Sequence, residues 1–274
     1  MGEKSDLLES RWAAIGDRLI HYRASLNHSN KHLPPLILVH GLGVSSRYMM
    51  PTAVRLASHR TVYAPDLPGS GRSTRPSRPL NLTELSDALA RWMAELGIDR
   101  AVLLANSIGC QVIVDLALRR PEMVERLILV SPTVDSEART AARSFARLLL
   151  DIPHERLSLA FIVLLDYLRA GLGRMALTFA YAMQDRIEER LPFVQQSLLV
   201  VRGRLDPVVP KRWAKEVNRL LPASQLVVIN SAGHAVNHNS PEELTQVVLD
   251  FLKEPGRKAG DGEKRNPESR SQNK

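Results

Sequence analysis

The chain is expected to form an α/β protein: a mostly parallel eight-stranded sheet with helices on both faces and one helical insertion. Three observations lead there. Short apolar runs alternate with segments of helical period, which is the pattern of parallel strands joined by crossover helices. The first two runs flank Gly16-Asp17, a good hairpin turn, so the sheet starts antiparallel. The alternation then stops over 134–192, where the pattern is helical and no strand stands out.

The elements follow in order. Segments 11–15 and 18–23 make the hairpin. Leu36–Val39 is continuously apolar, as a strand buried on both faces requires. Residues 46–58 read as a helix, 61–64 as a strand, and 65–79 as a Pro/Gly/Ser-rich loop. Helical spacing returns over 82–96, with Thr83 near its start and Gly97 to close it. A strand at 101–105, a helix at 108–119 stopped by Pro121 and a strand at 126–130 precede the insertion. Beyond it come a strand (198–201), a helix (212–220), a strand (225–229) and a helix (241–252) with Pro241 in its first turn behind Ser240 as cap. The core is thus assigned to 1–133 and 193–254, and the helical insertion to 134–192. A basic, polar tail over 255–274 has almost no apolar content and is expected to be disordered.

The residues with chemistry sit just past strand ends, where an open α/β sheet binds its ligands. Ala105-Asn106-Ser107-Ile108-Gly109 lies between a strand and a helix, the setting of a nucleophile elbow. Such a turn forces the central residue to positive φ, at about 1–3 kcal/mol. Small residues two positions either side let strand and helix approach; Ala105 stands where glycine is usual. His40-Gly41-Leu42-Gly43 follows the strand at Leu36–Val39 and can aim a backbone N–H at the elbow. The backbone N–H groups of Leu42 and Ile108 are the expected oxyanion donors, each worth about 3–4 kcal/mol. His40 itself reads as structural. Asp206, on the Pro-flanked loop after 198–201, can orient an imidazole, and His234 follows the strand at 225–229. The catalytic set is therefore Ser107, Asp206 and His234, in the chain order Ser, Asp, His. Asp135 is an alternative acid. His234 and His238 stand four apart, yet no third metal ligand suggests itself.

Here the sequence resembles the α/β-hydrolase superfamily over about residues 10–253. Asp66-Leu67-Pro68-Gly69-Ser70-Gly71-Arg72-Ser73 is similar to the family's D-x-x-G-x-G-x-S loop, and Pro121 to Val130 to its P-x-x-V-x-x-L-I-L-V stretch. The resemblance implies a serine hydrolase that needs no cofactor, with Asp66 and Arg72 shaping the core and 134–192 forming a helical cap over an acyl or alcohol pocket. Gly41, Gly43, Asn106, Phe161, Leu165, Met175 and Phe179 are the candidate substrate contacts. A small to medium, partly apolar carboxylic ester is the expected substrate. Two alternatives stay open. Asn106 before the serine resembles carbon–carbon bond hydrolases of aromatic ring-cleavage pathways, and a catalytically silent ligand-binding protein could share the fold.

Composition narrows the partners. The 274 residues carry a formal charge of +8, much of it in the tail, and no basic stripe is interleaved with aromatics, so nucleic acid is not expected. Cys110 is the lone cysteine, which fits a buried helix position and a reducing, cytoplasmic setting. The N-terminus has no apolar signal core. The most apolar run, 157–168, is too short to span a bilayer and contains Asp166, so no stable membrane insertion is expected. An oligomer and a membrane contact through the insertion both stay open.

Overall fold

The computed structural model describes residues 7–26 and 32–255. Eight strands form one sheet: β1 (Leu8–Ile15), β2 (Arg18–Ser25), β3 (Leu36–Val39), β4 (Val62–Pro65), β5 (Ala101–Asn106), β6 (Val124–Val130), β7 (Ser197–Gly203) and β8 (Ser224–Ile229). Their order is β1-β2-β4-β3-β5-β6-β7-β8. β1 pairs antiparallel with β2 and β2 with β4; every other pairing is parallel. The tail expected to be disordered lies, Pro255 apart, outside the described residues.

Successive residues of the central strands enter opposite cores, as the period-2 geometry of a strand dictates. Ile37, Val39, Leu103, Ala105, Leu127 and Leu129 join one core with α2 (Leu82–Glu95), α3 (Gly109–Arg119) and α8 (Lys211–Leu220). Leu36, Leu38, Val102, Leu104, Ile128 and Val130 join the other with α1 (Ser46–Ala57) and α10 (Pro241–Lys253). Both faces are therefore covered. The strand order reverses at β3 and β5, with α1 leaving β3 on one face and α3 leaving β5 on the other. A crevice opens there, beyond the carboxyl ends of both strands.

Helices α4 (Ala141–Asp151), α5 (Leu157–Ala170), α6 (Leu172–Gln184) and α7 (Ile187–Arg190) fill the interval between β6 and β7. The insertion is tied down by buried polar groups. Asp166 accepts from the Ser45 hydroxyl at 2.6 Å and pairs with Arg47. Gln111 on α3 donates to the Ala182 carbonyl and to Asp185. Among the described residues no helix is long and apolar enough to cross a membrane.

Thr83 lies in the first turn of α2, as expected, and Asn81 caps that turn: its side chain accepts from the Glu84 N–H while Glu84 accepts from the Asn81 N–H, a reciprocal capping box. One local expectation is corrected. Ser240 makes no side-chain cap for α10, because its hydroxyl bonds Ser231 at 2.8 Å. A short helix, α9 (Val236–Asn239), follows His234 after Ala235. Gly97 closes α2 at φ 66°, as anticipated.

Candidate active site

Ser107 sits between β5 and α3 at φ 56°, a strained conformation for a residue with a side chain. Close packing holds it there. Its N–H donates to the Val130 carbonyl at 3.0 Å, and its carbonyl accepts from the Cys110 N–H at 3.0 Å. A Cβ on Gly109 would stand 2.6 Å from the His40 carbonyl oxygen and 3.3 Å from the Ala105 methyl. The methyl at 105 is thus accommodated because position 109 has none. The loop after β3 leans on the same turn: a Cβ on Gly41 would lie 3.2 Å from that of Ser107. His40 fixes this loop. Its Nε2 accepts from the Leu67 N–H at 3.0 Å, so Nδ1 carries the proton and donates to the Gly41 carbonyl at 2.8 Å. Burial pushes its pKa down, keeping it neutral and structural.

Asp66 anchors the loop after β4. It accepts from the Ser46 and Arg72 N–H groups and from His21 at 2.8 Å. Burial raises its pKa, but these donors, His21 foremost, hold it down at about 2. Arg72 contributes only its backbone here; its side chain is exposed, so the expectation that it shapes the core is corrected.

Asp206 lies on the loop after β7. Its Oδ1 accepts from the Val208 and Val209 N–H groups at 2.8 and 2.9 Å, and its Oδ2 lies 3.1 Å from His234 Nδ1. The Arg202 guanidinium pins the loop by donating to the Val209 and Asp206 carbonyls. The two loops touch through backbone: a Cβ on Gly203 would stand 2.1 Å from the Gly233 carbonyl oxygen. Burial pushes the Asp206 carboxyl up, yet His234 and the N–H donors outweigh it and the net shift is downward. For His234, burial lowers the pKa, but Asp206, then Asp151 and Glu155, raise it to about 9.

Asp151 and Glu155, at the end of α4 and just before α5, escape sequence reasoning. Asp151 accepts from the His234 N–H and Glu155 from the Ala235 N–H, each at 3.0 Å. Glu155 also accepts from Asn239 at 2.5 Å. The insertion therefore grips the backbone that bears the histidine. Asp151 is buried, and burial, reinforced by Glu155 against the opposing charge of His234, raises its pKa to about 8. Asp151 and Glu155 thus share this corner. Their only signal in the sequence was a pair of acids four apart amid apolar residues.

A cavity of about 530 Å³ opens over these groups. Its floor includes Gly41, Leu42, Asn106, Ser107, Ile108 and His234; its roof includes Leu148, Leu159, Val163, Leu164 and Phe179 from the insertion. The Leu42 and Ile108 N–H groups take no acceptor among the described residues. Other candidates are placed differently. Phe161 and Leu165 do not line the cavity, and Phe161 is 65% exposed, because α5 is apolar on every side and these side chains point away. Gly43 and Met175 meet each other beside a separate cavity of about 50 Å³. Asn106 reaches the wall, but its amide donates to the Val130 and His234 carbonyls and accepts from the Tyr48 hydroxyl at 2.9 Å. It acts as a scaffold tie. Asp135, the alternative acid, is paired with Arg147 and Arg212, both at 2.6 Å. Cys110 is buried, and its Sγ donates to the Ala105 carbonyl. Among the described residues no group of three or more His, Cys, Asp or Glu could hold a metal ion.

This arrangement has relatives. The chain is 27% identical over 274 residues to the 2-(acetamidomethylene)succinate hydrolase of Mesorhizobium japonicum, covering 90% of this chain and 96% of that protein. It is 25% identical over 244 residues to the pimeloyl-(acyl-carrier protein) methyl ester esterase of Vibrio vulnificus, covering 80% and 94%. The crystal structure of a membrane phospholipase A, a bacterial virulence factor, superposes with a TM-score of 0.76 at 24% identity, covering 90% of this chain and 86% of that one; at that identity it shows the fold alone. The sequence pattern of the alpha/beta hydrolase family matches residues 36–247, which span the crevice and all the groups around it. The chain belongs to the alpha/beta hydrolase family.

Proposed function

We propose that the protein is a serine hydrolase that cleaves a small to medium, partly apolar carboxylic ester through an acyl-enzyme. One observation carries this reading. A histidine held through Nδ1 by a buried, N–H-bonded carboxylate lines the same apolar cavity as a serine at positive φ. With Nδ1–H donating to Asp206, the free lone pair of His234 is on Nε2. That nitrogen takes the Ser107 proton as Oγ attacks the carbonyl carbon. The Leu42 and Ile108 N–H groups stabilise the oxyanion, and His234 returns the proton to the leaving alkoxide. Water then attacks the acyl-enzyme by the same route, releasing the acid and regenerating Ser107. The helices over 134–192 act as the cap, and their apolar side chains favour an acyl chain over a charged group. The methyl ester esterase of Vibrio vulnificus is a relative whose name states ester cleavage. The test is labelling with a fluorophosphonate, followed by an acyl-chain series of p-nitrophenyl esters. Modification at Ser107, and turnover abolished in Ser107→Ala, are expected. An unlabelled Ser107 in the folded protein would overturn the proposal.

A further inference from the structure

The outer surface of the insertion differs from the rest of the molecule. Most of the large apolar side chains that are exposed among the described residues lie between 141 and 184. On α5 they recur at Leu157, Phe161, Leu164 and Leu168, a spacing that sets them on one stripe of the helix. Leu150 and Leu172 extend the exposed apolar surface onto α4 and α6. These six are between 57% and 89% exposed. Large apolar side chains exposed in such number on one segment mark an interaction surface.

The charges of the same stretch select the occupant. Residues 141–184 contain five arginines and three acids. The acids are all turned inward: Asp151 and Glu155 onto the His234 loop, Asp166 onto Ser45 and Arg47. Arg143, Arg156 and Arg169 are exposed. The face presented to solvent is thus apolar with a purely cationic set of formal charges, which complements a surface that is apolar below and anionic above. A second copy of the chain would bring the same cations against these. The stripe is also continuous with the cavity, since Leu157 and Leu164 both line it and are exposed.

We infer that this face docks reversibly on an anionic lipid bilayer. Helix α5, 14 residues and about 21 Å long, lies in the interface plane and does not cross it. The inference goes beyond ester hydrolysis and does not need it, because docking is a property of the surface and not of Ser107.

The test is sedimentation of the full chain with phosphatidylcholine vesicles, with and without phosphatidylglycerol, run in parallel on the Ser107→Ala protein. Both proteins are expected to bind the anionic vesicles and to be released by salt. The double variant Leu168→Glu/Leu172→Glu is expected to weaken partitioning about tenfold or more, while hydrolysis of a soluble short-chain ester is unchanged. Neither residue lines the cavity. Three outcomes would overturn the inference: no binding to either vesicle, equal binding to both, or anionic binding that the double variant keeps, which would place it elsewhere on this basic chain. Concentration-dependent dimerisation that the same double variant abolishes would also overturn it, by assigning the face to a second copy. Loss of hydrolysis with docking intact would count against the proposed function alone.

Discussion

The floor and the roof of the cavity are built on opposite principles. The floor is made of strand ends and loops whose polar groups are bonded to one another: Asp66 to three donors, Asp206 to two N–H groups and a histidine, Asn106 to three partners. Glycines at 109 and 203 have no room for a methyl group. The roof is three helices with much apolar surface exposed and a few buried acidic side chains for attachment. A rigid floor keeps reacting groups in register, while a roof held at a few points can change shape or sequence without disturbing them. Under the proposed function, the chemistry belongs to the floor and the substrate range to the roof.

That division can be tested from its strongest consequence downwards. On the floor, Ser107→Ala should lower kcat by on the order of 10⁶-fold without unfolding the protein, seen in steady-state kinetics alongside circular dichroism. Asp206→Asn should lower kcat about 10⁴-fold, since an amide favours the wrong tautomer of His234; a loss under tenfold would move the orienting role to another acid. Asp66→Ala leaves the buried Ser46 N–H, the part-buried Arg72 N–H and His21 without their acceptor, and should destabilise by about 3–5 kcal/mol in urea unfolding. On the roof, Phe179→Ala should shift the preferred acyl chain to greater length while changing kcat/KM by about 10- to 100-fold for any one ester. An equal loss for every chain length would erase the distinction between floor and roof.

The smallest effect concerns the join between them. His234 titrates near 9, so activity should rise with pH towards that value as the imidazole loses its proton. Glu155→Gln removes one of the carboxylates that raise it and should move the rising limb to lower pH. Folding stability has the opposite sign. His234 and Asp151 both have folded pKa values above their ordinary ones, about 9 and about 8. Each binds its proton more tightly when folded, so stability falls as pH rises through these values. The melting temperature should drop by a few degrees between about pH 7 and pH 10, and Asp151→Asn should flatten the drop.

The floor was far more legible in the sequence than the roof. Leu36–Val39 could be read to the residue because a strand buried on both faces has no polar position to blur its ends. Ser107 could be read because the elbow constrains its neighbours, Ala105 and Gly109, as tightly as itself. In α5 the apolar residues fall on every side of the helix, so periodicity gives no direction. Phe161 and Leu165 were accordingly expected in the pocket and stand outside it. Asp166, the one acid in that helix, is turned inward to an arginine from another element, which no local pattern records. Asp151 and Glu155 were missed for the same reason: their partners are 83 and 80 residues away.

Gly233 sits where these two regimes meet. A side chain there would fall 2.8 Å from Asp151, 3.0 Å from Glu155 and 3.0 Å from His154. Modular exchange of lids between relatives is therefore restricted in this molecule. A lid grafted in place of 134–192 would have to bring two acceptors spaced to meet consecutive N–H groups, and a turn slim enough to lie against bare backbone. A graft that met the contours of the cavity but lacked that clasp would leave the histidine loop untethered on one side. For anyone redesigning the specificity of this enzyme fold, the practical boundary of the exchangeable piece is drawn inside the insertion, after Glu155, and not at its ends.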